Sequence, residues 1–148
     1  MEMDALDQLR RRRGELKAQG RFKEAIPVQR ELLEVLQRSG NIRDISNAWN
    51  MLSHLYHLNH ELIAAESAAR NALSIYAIET HPRLETLATY EMKLAIILAD
   101  QRRFAEAVSN AQSAIEHFSD FHNPPDDFLI ARQLDMARMI VSRDQATE

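Results

Sequence analysis

Cysteine is absent from this sequence of 148 residues, and glycine and proline are scarce, with three and four residues respectively. Without cysteine, disulfide bonds, thiol catalysis and thiolate zinc sites are excluded. The few glycines and prolines leave too few turns for an all-β sandwich or barrel, which needs a turn signal roughly every 8 to 12 residues. The sequence therefore predicts a helical chain, long enough to form a hydrophobic core without disulfides or structural metal.

Long apolar runs are also lacking. No segment approaches the roughly 18 consecutive apolar residues that a membrane span requires. The N-terminus places acidic residues before its basic ones and has no apolar run of signal-peptide length. These absences predict a cytoplasmic protein without a membrane partner.

Charge is divided unevenly along the chain. Residues 1–43 contain ten Lys and Arg against seven Asp and Glu, whereas residues 44–148 contain eight against fifteen. The run Arg10–Arg13 suggests phosphate contacts, but four consecutive residues point around most of a helix and cannot form one basic stripe. Because the net charge is also −4, nucleic-acid binding is only a remote alternative.

A short motif recurs along the chain. Residues 20–25 (GRFKEA) return as residues 102–107 (RRFAEA), and residues 59–65 (NHELIAA) fit the same frame. The motif is spaced by 40 and then 42 residues, and apolar residues recur between its copies at steps of three and four, which indicates pairs of amphipathic helices. The predicted helices span residues 4–18, 22–38, 43–58, 61–79, 83–100, 103–120 and 126–143, with breaks at Gly20, Ser39–Asn41, Thr80–Pro82 and Asn123–Pro125.

The middle unit carries residues of a known repeat. Trp49, Leu52, Ser53 and Tyr56 match the pattern W-x2-L-G-x2-Y of the tetratricopeptide repeat (TPR), with Ser in place of Gly, and Ala65 follows at the family spacing. The long period resembles that of the kinesin light chain repeats and their bacterial relatives. The resemblance implies one domain over residues 1–148, a right-handed α-solenoid with three TPR-like helix pairs and a capping helix. The implied repeat units span about residues 5–40, 43–80 and 83–122, and the capping helix about 126–143.

The same resemblance implies a function in protein–protein interaction. In TPR arrays the first helix of each pair lines a concave face that binds peptides. Kinesin light chain-like repeats carry Asn-Asn before the Leu that matches Leu52, and here only Asn50 of that pair is present. The candidate partner-binding residues are Asn47, Asn50, Met51, His54 and His57 in the second unit, Arg10, Arg11 and Lys17 in the first, and Met92 and Lys93 in the third. This mixture of basic, amide and apolar groups predicts an acidic or C-terminal peptide with an apolar anchor.

Other functions are weaker alternatives. The first and C-terminal helices could pair two copies of the chain in a homodimer. His54, His57 and His60 recur at three-residue steps, but His60 falls at a predicted turn, so we expect no metal site. The sequence has no glycine-rich phosphate loop, nucleophile elbow or H-E-x-x-H signature, and we therefore expect neither an enzyme nor a cofactor.

The first unit departs from the repeat. With an offset of 40 residues, Arg12 and Arg13 occupy the positions of Leu52 and Ser53. An arginine pair cannot fill a tight helix crossing in the way that a leucine and a serine can. We therefore expect the first helix to be rotated, loosely docked or engaged in another interface.

Overall fold

The computed structural model describes residues 2–121 and 128–147, and these residues form seven α-helices and no strand. The predicted all-α class is confirmed, and the predicted helix ends lie within four residues of the observed ones. The break at Asn123–Pro125 and the predicted helix start at Asp126–Asp127 lie outside the described residues. The helices are α1 (Glu2–Ala18), α2 (Phe22–Ser39), α3 (Ile42–Leu58), α4 (Leu62–Tyr76), α5 (Leu84–Asp100), α6 (Phe104–Phe121) and α7 (Phe128–Thr147).

The helices form two compact units, Met1–Glu79 and Thr80–Glu148. In the first unit, helices that are consecutive in the sequence pack together, α1 on α2, α2 on α3 and α3 on α4. In the second unit, α5 packs on α6, and α7 contacts both. The units divide at the predicted Thr80–Pro82 break, where proline prevents the continuation of a helix.

The turns inside the three helix pairs share one geometry. Gly20, His60 and Arg102 have φ values of 72°, 60° and 62°. The N–H of each donates to the carbonyl three residues earlier, and the next N–H donates to the carbonyl five residues before it. This is a Schellman motif, which satisfies the last carbonyls of the first helix in each pair. The turns therefore repeat with the spacings of 40 and 42 residues that the sequence predicts.

Small side chains lie where the paired helices meet. Ala25, Ala65 and Ala107 are equivalent in the repeat and are all fully buried. Without bulk beyond Cβ, they allow the backbones of neighbouring helices to approach closely. Leu52 and Leu98 are also buried, so small and large apolar residues together form the core of the helix pairs.

Helix α1 packs on α2 through a stripe that includes an arginine. Leu6, Leu9, Arg13 and Leu16 recur every three or four residues; Leu16 is buried and the other three are half-buried. Arg12 is exposed. The first helix is therefore docked, and only one member of the arginine pair takes part in the packing.

A buried polar link joins the first three helices. Arg13 Nη1 donates to Gln29 Oε1 at 2.9 Å, and Gln29 Nε2 donates to the carbonyl oxygen of Ala48 at 3.0 Å. Gln29 has no exposed surface. Burial, and then the nearby charge of Arg10, lowers the pKa of Arg13 from its ordinary value. The hydrogen bonds to Gln29 and Ala48 compensate part of the cost of placing these polar groups between helices.

Candidate peptide-binding face

Five candidate residues lie along one side of α3, which we call the α3 face: Asn47, Asn50, Met51, His54 and His57. Asn50 and Met51 each lie three or four residues from Asn47 and from His54, and His57 follows His54 by three, so the side chains project from neighbouring positions on successive turns. None of the five is buried. The rest of α3 contributes Ser46, Ala48, Leu52, Ser53, Leu55 and Tyr56 to the core. The α3 face thus presents amide, imidazole and thioether groups at the surface.

Asn50 differs from the other members of the α3 face. Its Oδ1 atom is buried and accepts no hydrogen bond from the part of the chain that the structure describes. A buried acceptor without a donor costs about 1–3 kcal/mol. A rotation of the amide toward an N–H of a bound peptide would remove that cost, and the same amide could donate through Nδ2.

Helix α1 contributes positive charge to the first unit. Arg10 and Arg11 are exposed, and Lys17 is partly exposed. Arg10 Nη1 lies 4.0 Å from Asp7 Oδ1, and both side chains are open to solvent. Because such a surface pair is worth little, Arg10 keeps its capacity to bind another carboxylate.

The two candidate residues of the second unit differ in exposure. Lys93 is partly exposed on α5. Met92 is only 2% exposed, so the expectation that Met92 offers an apolar contact on an open surface is corrected. Within this unit α5 is packed by both α6 and α7, and a methionine side chain gains more from burial there than from water.

The second unit also contains a polar cluster that sequence reasoning did not identify. Glu91, at the repeat position of Trp49, accepts a hydrogen bond from Ser113 Oγ and lies 2.5 Å from His117 Nδ1. The carboxylate thus contacts both other groups. In a hydrolytic triad the histidine lies between the nucleophile and the acid. This cluster is therefore a link between α5 and α6, and the equivalence of Glu91 with Trp49 was the signal that could have revealed it.

Two further properties concern ligands and membranes. Among the described residues, no group of three or more His, Cys, Asp or Glu side chains is arranged to hold a metal ion. None of the helices, as far as the structure describes them, combines the length and the apolarity needed to cross a bilayer.

Comparison with solved structures defines the class of protein. The all-helical repeat and its structural similarity place the chain among TPR-like α-solenoids. One similar structure is that of BtubC (BKLC) from P. vanneervenii, a kinesin light chain-like TPR protein, with 26% sequence identity and a TM-score of 0.67. The match covers 77% of this chain and 46% of BtubC, so it spans less than half of that protein. No family model and no curated protein matches the sequence.

The likeness also bears on the kind of activity. A TPR-like helical repeat is a fold of protein-interaction modules, and it is not an enzymatic kind of fold. The fold itself does not define a partner, because function depends on the side chains that each repeat presents.

Proposed function

We propose that this chain is a non-enzymatic adaptor or scaffold module that binds an acidic or C-terminal peptide on the α3 face. The observation that carries the proposal is the alignment of five candidate side chains on one accessible side of α3. A peptide bound there would lie along a helix whose opposite side is fixed in the core. Such rigid display reduces the ordering cost of binding.

The chemistry of the α3 face favours an acidic ligand. Its polar groups are two amides and two imidazoles, and it carries no carboxylate. Arg10, Arg11 and Lys17 add cations from α1 in the same unit. Guanidinium groups bind carboxylates through paired, charge-assisted hydrogen bonds. Met51 adds an apolar group to the α3 face. Lys93 lies on α5 in the second unit and stays a separate prediction from the sequence.

Selection from a random peptide library would test the proposal without a known partner. Peptides would be selected on the intact chain and then measured by fluorescence anisotropy. We expect enrichment of sequences with Asp or Glu, or with a free C-terminal carboxylate, next to an apolar residue. The affinity should fall as salt is raised, because exposed ion pairs are screened.

Matched variants make this experiment specific. Asn50→Ala should weaken binding about tenfold, the effect of losing one or two well-placed hydrogen bonds to a peptide backbone. Gln37→Ala removes an exposed amide from α2 and should leave peptide binding unchanged. Likewise Arg10→Glu with Arg11→Glu should weaken binding, whereas Arg38→Glu on α2 should not. Selected peptides that are basic, or that bind Asn50→Ala and the Arg10, Arg11 variant normally, would refute the proposal.

A further inference from the structure

The first unit contains a groove that the proposed function does not use. The groove lies between α2 and α4, has a volume of about 430 Å³ and is lined by Trp49 and Tyr56 of α3. Its α2 wall includes Arg30 and Glu34, and its α4 wall includes Ser67. We call it the α2/α4 groove. Its residues on α3 project roughly 150° around the helix from the α3 face, so the two surfaces are separate.

One residue that lines the groove has a hydrogen-bond donor without an acceptor. Trp49 Nε1 is buried and has no partner in residues 2–121 and 128–147, for which the structure gives positions. An indole N–H in a protein interior usually finds an acceptor. The other polar aromatic group in the groove is satisfied, since Arg30 Nη2 donates to Tyr56 Oη and its guanidinium lies 5.5 Å from the ring centre. Trp49 thus leaves an unsatisfied donor at the wall of the groove, and an acceptor from another molecule would satisfy it once the indole turns toward the groove.

A large apolar side chain stands beside the groove. Ile63, in the first turn of α4, is 82% exposed. It precedes the groove residue Ser67 by four positions, which places it about 6 Å further along the same side of α4. In the other two repeats the equivalent residues are Lys23 and Ala105. The isoleucine is thus an exposed apolar projection adjacent to a concave surface with an aromatic floor.

We infer that the α2/α4 groove binds a second copy of this chain in a symmetric dimer. A two-fold interface must carry both the projection and the cavity that receives it, and this surface carries both. Its charges are also self-complementary, because Arg30 and Glu34 are one helical turn apart on the same wall and have opposite signs. The carboxylate of Glu34 and the side-chain oxygen of Gln37 are acceptors that a second copy brings to Trp49.

The expected association is weak and reversible. Stable interfaces bury roughly 1,200–2,000 Å² in total, and one groove with a single isoleucine on each copy accounts for only part of such an area. We therefore expect a dissociation constant that is roughly micromolar or weaker. Trp49 is the single tryptophan of the chain, so its fluorescence reports directly on the groove.

Sedimentation equilibrium of the full chain, from low micromolar to millimolar concentration, tests this inference. The expected result is a monomer–dimer equilibrium, with Trp49 emission changing over the same concentration range. Ile63→Asp should raise the dissociation constant at least about tenfold, as expected for a central apolar anchor. Ser67→Arg, which fills the groove from an exposed position, should do the same.

Two control variants separate this interface from others. Ile78→Asp removes another isoleucine, 68% exposed but outside the groove, and should leave the dimer unchanged. Met139→Asp changes a 58% exposed residue of α7 and should also have no effect. A chain that stays monomeric at every concentration would overturn the inference. A dimer that resists both Ile63→Asp and Ser67→Arg, or that is lost only with Met139→Asp, would overturn it equally.

Discussion

The first and second helix pairs use the same turn but different side chains at the helix crossing. In the second pair, Ser53 is fully buried on α3 and its Oγ donates to the carbonyl of Ala65 at 2.9 Å. In the first pair, the equivalent residue is Arg13, whose guanidinium reaches Gln29 on α2. Gln29 has the same repeat position in the first pair as Ala69 has in the second. A small pair, Ser53 and Ala69, is thus replaced by a long polar pair.

This difference shows that the turn of a repeat is independent of the side chains at its helix crossing. The Schellman turn depends on hydrogen bonds between residues five positions apart or fewer, and it is the same in both pairs. The crossing depends on two side chains sixteen positions apart, so a change in one requires a matching change in the other. Repeat geometry can therefore persist while the side chains between the helices change together.

The largest change in stability is expected when the arginine of the first pair is placed at the equivalent position of the second pair. Ser53→Arg puts a long charged side chain at a fully buried position, opposite Ala69 and without a glutamine partner. We expect a loss of about 3–5 kcal/mol in the free energy of unfolding, because the charge is unpaired and the crossing is overpacked. Denaturant unfolding monitored by circular dichroism would measure it.

The control for this change is Ser53→Ala. Alanine is the equivalent residue of the third pair, at Ala95. Only the hydrogen bond to Ala65 is lost, and we expect a cost of about 1 kcal/mol. Equal losses for Ser53→Arg and Ser53→Ala would show that the crossing is not tightly packed.

A double-mutant cycle would measure the coupling between Arg13 and Gln29 in the first pair. Arg13→Ala leaves the buried Gln29 Oε1 without its donor and should cost about 2 kcal/mol. Gln29→Ala should cost a similar amount because it leaves space between helices and an unpaired guanidinium. The double variant should cost less than the sum by about 1 kcal/mol. Additive losses, measured by denaturant unfolding, would contradict a coupled pair.

Substitutions in the turns should change the stability less, and with opposite sign in the first and second pairs. Gly20 and His60 occupy equivalent left-handed positions, where a side chain is strained and glycine is not. Gly20→Ala should therefore destabilise the chain by about 1 kcal/mol, and His60→Gly should stabilise it by somewhat less. Thermal unfolding would detect both changes. A stabilising Gly20→Ala would mean that the shared turn geometry is not maintained in solution.

The smallest expected effect is a pH-dependent change in stability. Arg21 Nε donates to Glu24 Oε1 at 3.0 Å, and this hydrogen bond lowers the pKa of Glu24 below its ordinary value of 4.5. A lowered pKa in the folded state gives stability that is present above 4.5 and is lost as the pH falls through the folded value. In the second pair Glu61 replaces the arginine.

Glu24→Gln should therefore lower the melting temperature slightly at neutral pH, and the difference from the parent chain should vanish in acid. Melting curves over a pH series would show this. Glu31→Gln, which removes an exposed carboxylate of α2 outside this ion pair, is the control. A difference that grows on acidification would reverse the assigned sign.

The sequence predicts most of the helices because their signals are local. Proline, glycine and capping residues mark the breaks, and the spacing of apolar residues marks the buried sides. The same periodicity predicts that Asn47, Asn50 and His54 share one side of α3. The docking of α1 was not predictable, because it depends on the contact of Arg13 with a residue of the next helix.

Two other features show the limit of alignment by repeat offset. Met92 aligns with the half-exposed Asn50, yet it is buried, since the offset records position and takes no account of a side chain's hydrophobicity. The α2/α4 groove was not predicted either. Its signal was Ile63, an apolar residue at a position where the other repeats carry lysine and alanine.

The most direct test of the account is a nuclear magnetic resonance titration of the isotope-labelled chain with a selected acidic peptide. We predict that the largest shifts occur on the α3 face, including the side-chain amide of Asn50, and at Arg10 and Arg11. The indole N–H of Trp49 should respond to protein concentration and not to the peptide. Shifts centred on the Trp49 indole and α4, with the α3 face unchanged, would contradict the assignment of the peptide site.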